Sequence, residues 1–235
     1  MNWWGLFAFS VFMAHAQTNE RIRLDDLGGM YIDKTEVTIA QFAKFTKATG
    51  LVTKAELEGG GIEFVAGWQR RAGWTWQRPE GVEPTNPELP AVHLTHAEAK
   101  NYCSWVNGRL PTSAEWRSAG FTELRKNPPK PWIRGKTYDW TTGNSPDGAN
   151  TSLPDPWPRA APAMQTQSGV NGLYDMGGNV WEWSSDTKGD LRRTLGGSWW
   201  YPPEQMKADV EAWKSAEFYA VYIGFRCVYG SAPSN

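Results

Sequence analysis

NGLYDMGGNVWEW, residues 171–183, is the stretch on which the reading of this chain turns. Two acids, Asp175 and Glu182, bracket the pair Gly177-Gly178. Without a Cβ, glycine lets the backbone turn tightly and aim carbonyl oxygens at one point. Carboxylates supplemented by backbone carbonyls are the hard donors that calcium takes. The plainer alternative has Asp175 capping a turn and Glu182 exposed. Two further segments follow, LRRTLGGSWWY at 191–201 and YIGFRCV at 222–228.

Upstream, three Thr-x-x-Glu/Gln capping boxes stand before apolar runs: Thr38 with Gln41, Thr95 with Glu98 and Thr112 with Glu115. They predict three short helices, ending at Gly50, at Asn107-Gly108 and at Gly120. In the second, Ala99, Tyr102, Cys103 and Val106 recur at helical spacing, which buries one face and points Cys103 inward. Residues 28–37, 180–184, 193–199 and 222–228 read as short strands. Residues 51–80 are loop-rich, with a tryptophan-rich hairpin pattern at 67–76. Residues 127–168 are dense in Pro, Gly, Asn and Asp, and an irregular run of that length is usually functional or tied by a cation. No repeat or low-complexity linker interrupts the chain. Residues 20–235 therefore read as one α+β domain in which irregular segments dominate.

With 235 residues and a formal net charge of −1, the chain can bury one substantial core. Its Lys and Arg are scattered, which argues against nucleic acid or an anionic membrane as partner. The mixed-sign runs RLDDLGG and GDLRR read as solvated faces. Residues 1–16, MNWWGLFAFSVFMAHA, form an apolar run ending in a small-x-small site, the pattern of a cleaved signal peptide and too short to span a bilayer. The expected location is periplasmic or secreted, with no membrane span after cleavage. In an oxidising compartment, Cys103 and Cys227 are an even pair, for which a disulfide is favoured over two buried thiols. Closing so long a loop would contribute roughly 4–5 kcal/mol in the chain-entropy model. His93 and His96 flank Thr95, the start of a helix, and so do not share a helical face. They read as surface or capping residues rather than metal ligands.

Taken together and in order, YIDKTEVTIAQFAKF, PAVHLTHAEAKNYCSWVNGRLPTSAEWRSAG, NGLYDMGGNVWEW, GGSW and GFRC resemble the formylglycine-generating enzyme family of sulfatase-modifying factors. The resemblance covers most of the mature chain. It implies an elaborated C-type-lectin-like fold and a disulfide between Cys103 and Cys227. It implies a structural Ca²⁺ site with the side chains of Asp175 and Glu182 and the carbonyls of Gly178 and Val180. A second Ca²⁺ site would take the side chains of Asn150 and Asp155 and the carbonyls of Thr151 and Trp157, at a spacing shorter than the family's usual one. Asn and Asp are also ordinary turn residues.

The family's copper-binding, substrate-oxidising cysteine pair should follow GGSW. Here the stretch is WWYPPEQM, residues 199–206, without cysteine. Cu(I) needs soft ligands, and Met206 alone cannot replace two thiolates. No copper and no formylglycine-generating reaction are therefore expected. The leading expectation is a binding module for a peptide, glycan or partner protein, with contacts from Trp199, Trp200, Tyr201, Glu204 and Trp213, since Trp and Tyr typify binding hot spots. A second expectation is a periplasmic oxidoreductase like the pyoverdine-maturation relatives, with Ser198, Tyr201, Glu204 and Arg226 as base, hydrogen-bond donors and anion partner. A third is a lectin-like binder diversified by a retroelement, which also ends in GGSW and GFR.

Overall fold

The computed structural model describes residues 20–84, 86–210 and 212–230; the predicted signal peptide lies outside them. Strands β1 (Arg21–Leu24) and β2 (Met30–Asp33) form an antiparallel pair, and β2 also pairs with β9 (Val228–Tyr229), so the two ends of the domain share a sheet. Helix α1 (Ile39–Thr49) starts on the Thr38–Gln41 box and stops at Gly50, whose φ of 71° is the left-handed cap. Helix α3 (His96–Trp105) starts on the Thr95–Glu98 box. Helix α4 (Ser113–Phe121) starts on the Thr112–Glu115 box but runs through Gly120, whose Cα lies against Met176. Gly120 is thus a packing glycine inside the helix, not its stop. A fourth box, Thr53 with Glu56, opens the one-turn helix α2 (Lys54–Leu57), absent from the sequence reading.

The hairpin expected at 67–76 lies earlier in the chain, as β3 (Gly60–Phe64) against β4 (Trp68–Ala72), and residues 73–76 fall outside it. The third sheet orders β7 (Ala212–Ser215), β6 (Leu191–Leu195), β5 (Trp181–Lys188) and β8 (Ile223–Gly224), with β5 and β8 parallel. The predicted strand at 193–199 starts two residues earlier and ends at Leu195, because Gly196 and Gly197 take φ of 96° and 75°. No helix or strand lies between Phe121 and Val170 among the described residues, and the irregular run is as expected.

By register, Trp181, Trp183, Thr194, Ala212 and Lys214 share one face of the third sheet, and Glu182, Leu195, Arg193 and Trp213 the other. The first face carries the larger core, in which Phe42 meets Trp76, Tyr102 and Phe225 at 5.1, 5.8 and 6.4 Å. The second packs under α4 with Trp116, Phe121, Met176 and Leu195. Arg193, read as solvated, is buried on this second face, and its guanidinium reaches Ser113 at 3.3 Å. Leu24 of the other mixed-sign run is likewise a core residue. Cys103 and Cys227 are fully buried and joined, 124 residues apart in sequence. No helix of the described residues is long and apolar enough to cross a membrane.

Candidate functional site

The segment 171–183 folds around a buried cluster of charge. Glu182, on β5, accepts from Arg226 Nε at 2.8 and 2.9 Å and from Nη2 at 2.7 Å, and from the Trp116 indole at 2.8 Å. Arg226 spends its other donors on the carbonyls of Tyr174, Asp33 and Lys34. Beside them lies Glu36, which sequence reading missed. It accepts from the Asn179 amide at 2.6 Å and from Val180 N–H at 3.2 Å. Asp175 uses only Oδ1, which accepts from Thr166 at 2.7 Å, while its Oδ2 is buried without a partner. Gly178 is obligatory, since a Cβ there would lie 2.4 Å from the Asn150 carbonyl oxygen and φ is 85°.

Three buried carboxylates thus face one guanidinium. Burial, then Asp175 and Glu182, push the Glu36 carboxyl well above the usual range. Burial pushes Asp175 up to about 6 despite the Thr166 hydroxyl and Arg226. Such a cluster is completed by protons or by a cation.

The second predicted site adjoins the first. Asn150 donates to the Arg159 carbonyl at 2.8 Å and to Asn179 Oδ1 at 3.1 Å, and its own Oδ1 is buried without a partner. The Asn150 carbonyl accepts from Asn179 N–H at 2.7 Å, which locks the two loops together. Asp155 accepts from the backbone of Thr151 at 3.2 Å and Trp157 at 2.7 Å. So each predicted calcium site contains one orphaned buried oxygen, Asp175 Oδ2 in the first and Asn150 Oδ1 in the second. That donor chemistry fits a hard cation. The oxygens of Glu182 are already held by Arg226 and Trp116, so the first site would share that carboxylate with the guanidinium. No cluster of three His, Cys, Asp or Glu side chains is placed to hold a metal among the described residues. Both candidate sites would draw ligands from carbonyls.

The GGSW segment leads to the surface. Ser198 is buried, and its hydroxyl accepts from Trp200 N–H at 3.4 Å. Trp199 is buried with its indole N–H unpartnered, Trp200 meets it edge-on at 5.4 Å and is 41% exposed, and Glu204 is exposed. Trp199 and Trp200, with Trp157, Pro154, Pro158 and Asp155, line a cleft of about 470 Å³. Tyr201 turns the other way, meeting Trp181 at 5.7 Å and Tyr222 at 5.6 Å. From Tyr222 the rings continue to Trp68 at 6.2 Å, and from Trp68 to Phe218 at 4.9 Å and Phe64 at 5.3 Å. Trp68 and Phe64 are 48% and 41% exposed. The hairpin half of this strip, Phe64 and Trp68, was missed because it lies some 150 residues from the C-terminal half, as with Trp68 and Phe218.

Two predicted site residues are placed elsewhere. Arg226, taken as an anion partner in the groove, is fully buried and consumed by Glu182 and three carbonyls. Trp213 faces the opposite side of the sheet from Trp181, stacked on Arg193 at 5.4 Å. The histidines are not at the surface either. His93 is fully buried, its Nε2 bonded to the Pro79 carbonyl at 2.9 Å, and burial depresses it to about 4. His96 is buried at the start of α3, bonded to the Ser184 carbonyl at 3.0 Å.

A family model described as the sulfatase-modifying factor enzyme 1-like domain matches residues 8–230, and the chain belongs to that family. It is 33% identical over 189 residues to the formylglycine-generating enzyme of Streptomyces coelicolor, covering 66% of this chain and 57% of that protein. The inactive C-alpha-formylglycine-generating enzyme 2 of Mus musculus is 28% identical over 203 residues, 72% of this chain and 63% of that one. The chain therefore spans under two thirds of these relatives. Among solved structures, PvdO from Pseudomonas aeruginosa matches with TM-score 0.61 at 23% identity, over 85% of this chain and 79% of that one. The Treponema denticola variable protein 1 matches with TM-score 0.59 at 16% identity, over 90% and 92%. At these identities the two structures speak to the fold alone, which is the C-type-lectin-like one expected.

Proposed function

We propose that this protein is an exported, calcium-stabilised member of the family that binds a peptide, glycan or partner protein instead of generating formylglycine. The observation that carries the reading is the fate of sulfur. The chain has two cysteines, and both are spent in the buried Cys103–Cys227 bridge. No thiol is left to hold Cu(I) or to exchange with a substrate thiol. GGSW ends in Trp199 and is followed by Trp200 and Tyr201, with Glu204 exposed three residues on. Rigid aromatic surface beside a cleft is the composition of binding hot spots.

Calcium enters as a structural tie. Asp175, Gly178, Val180 and Glu182 would hold one ion, and Asn150, Thr151, Asp155 and Trp157 a second. Each would pin irregular backbone behind the cleft. The apolar N-terminal run and the disulfide support export. The test is elemental analysis of protein exported to a periplasm and purified without chelators. The proposal expects about one or two equivalents of calcium, as the two oxygen-donor sites imply. Stoichiometric copper or iron without calcium would overturn it and direct work to oxygen-consumption assays.

A further inference from the structure

Lys214 stands out on the sheet. It lies on β7, on the face shared by Ala212, Thr194 and Trp183, and is half-buried. Its ammonium sits 5.7 Å from the Phe218 ring centroid. No carboxylate or hydrogen-bond acceptor among the described residues meets it. Burial alone acts on it, lowering its affinity for a proton with no neighbouring charge in opposition. A partly desolvated ammonium without a counterion is unfavourable, and proteins ordinarily pair it.

The surroundings define what would pair it. Phe218 leads to Trp68, 48% exposed, and Trp68 to Phe64, 41% exposed. One cation beside the exposed rings of Trp68 and Phe64 and the half-buried ring of Phe218 matches a single negative charge on an apolar or aromatic body. A phosphate would call for a guanidinium fork or several donors. Arg70 and Arg71 of the nearby hairpin are already engaged, with Glu58 and Glu63 at 2.6 and 2.5 Å.

We infer that Lys214 anchors the carboxylate of a ligand whose aromatic or apolar body lies along Phe218, Trp68 and Phe64. The inference rests on reading the aromatic surface as a binding site and names the ligand class for its Lys214 end.

The test compares N-acetyltryptophan with its amide, two probes that differ only in the carboxylate. Binding is followed by chemical-shift titration of the tryptophan indole N–H groups. The acid should bind about tenfold more tightly than the amide, the factor of an ion pair in a partly dry site. Lys214→Met should erase the preference while keeping the fold, since the methionine retains the apolar stem. Lys214→Arg should preserve it. Equal binding of acid and amide to the unaltered protein would overturn the carboxylate anchor and leave the aromatic surface standing as a binding site. No binding of either probe would also overturn the inference. Partner capture by Trp200→Ala and Tyr201→Ala variants then decides separately whether the groove binds anything.

Discussion

Replacing Arg226 with methionine removes the guanidinium that faces Glu36, Asp175 and Glu182. Arg226 is fully buried and makes three contacts with Glu182 and three with carbonyls. Removing one partner of a buried ion pair costs about 3–5 kcal/mol, because the remaining charge is left desolvated. For a domain of this size each kcal/mol moves the midpoint by about 2–4 °C, so the loss is about 6–20 °C. About a fifth or more of an ordinary domain's stability is at stake. The assay is thermal and urea unfolding of the unaltered protein, Arg226→Met, Glu182→Gln and the double variant. Residues in direct contact couple, so the double variant should lose clearly less than the sum of the singles. Calcium adds a second arm. With Arg226 gone, Glu182 is free to meet a cation beside Asp175, so the loss should be smaller in millimolar calcium than in chelator. A loss below about 1 kcal/mol, within the range of an exposed pair, or strict additivity, would refute the view that Arg226 is the counterion of this cluster.

Other outcomes follow from the same structure. Cys103→Ala with Cys227→Ala opens a loop of 124 residues and should cost up to about 5 kcal/mol, read from urea unfolding. His93 is held near 4, against 6.5 when unfolded, so only the unfolded chain takes its proton between those values and stability falls as pH drops through that window. His93→Asn, which tolerates the φ of 58°, should therefore gain on the unaltered protein by about 3 kcal/mol between pH 7 and pH 4. Asp33 has the opposite sign. Burial raises it to about 7, so its ionisation costs stability as pH rises from about 4 to 7, and Asp33→Asn should remove that slope in the same titration. Gly61→Ala would set a Cβ 2.2 Å from the His93 ring and should destabilise by about 1–3 kcal/mol, measured by thermal unfolding.

What the sequence disclosed was local. A capping box spans four residues, so three helices were readable from Thr38, Thr95 and Thr112. The box at Thr53 escaped because its helix is a single turn with no periodic face to mark it. The disulfide was readable because only two cysteines exist to join. The partners of the charge cluster were not readable, since Glu36 and Asn179 meet across 143 residues. Arg226 looked available because an arginine's burial depends on where Glu182 lies. Trp213 was misplaced because the face of a strand residue is a matter of register, and the Arg193–Trp213 pairing fixes it only once the sheet is formed. Histidine burial failed in the same way: His93 lies against Gly61, a contact that exists only after the hairpin packs.

Whether this chain can oxidise a substrate thiol is decided by one measurement. The purified protein, loaded with Cu(I) and supplied with oxygen and a reductant, is incubated with a cysteine-containing sulfatase peptide, and the peptide is weighed by mass spectrometry. With both cysteines locked in the Cys103–Cys227 bridge, the peptide should keep its thiol and no tight stoichiometric copper should remain on the protein after desalting. Conversion of the cysteine to formylglycine, at turnover above the copper-only control, would show that the chain generates formylglycine without a free cysteine pair.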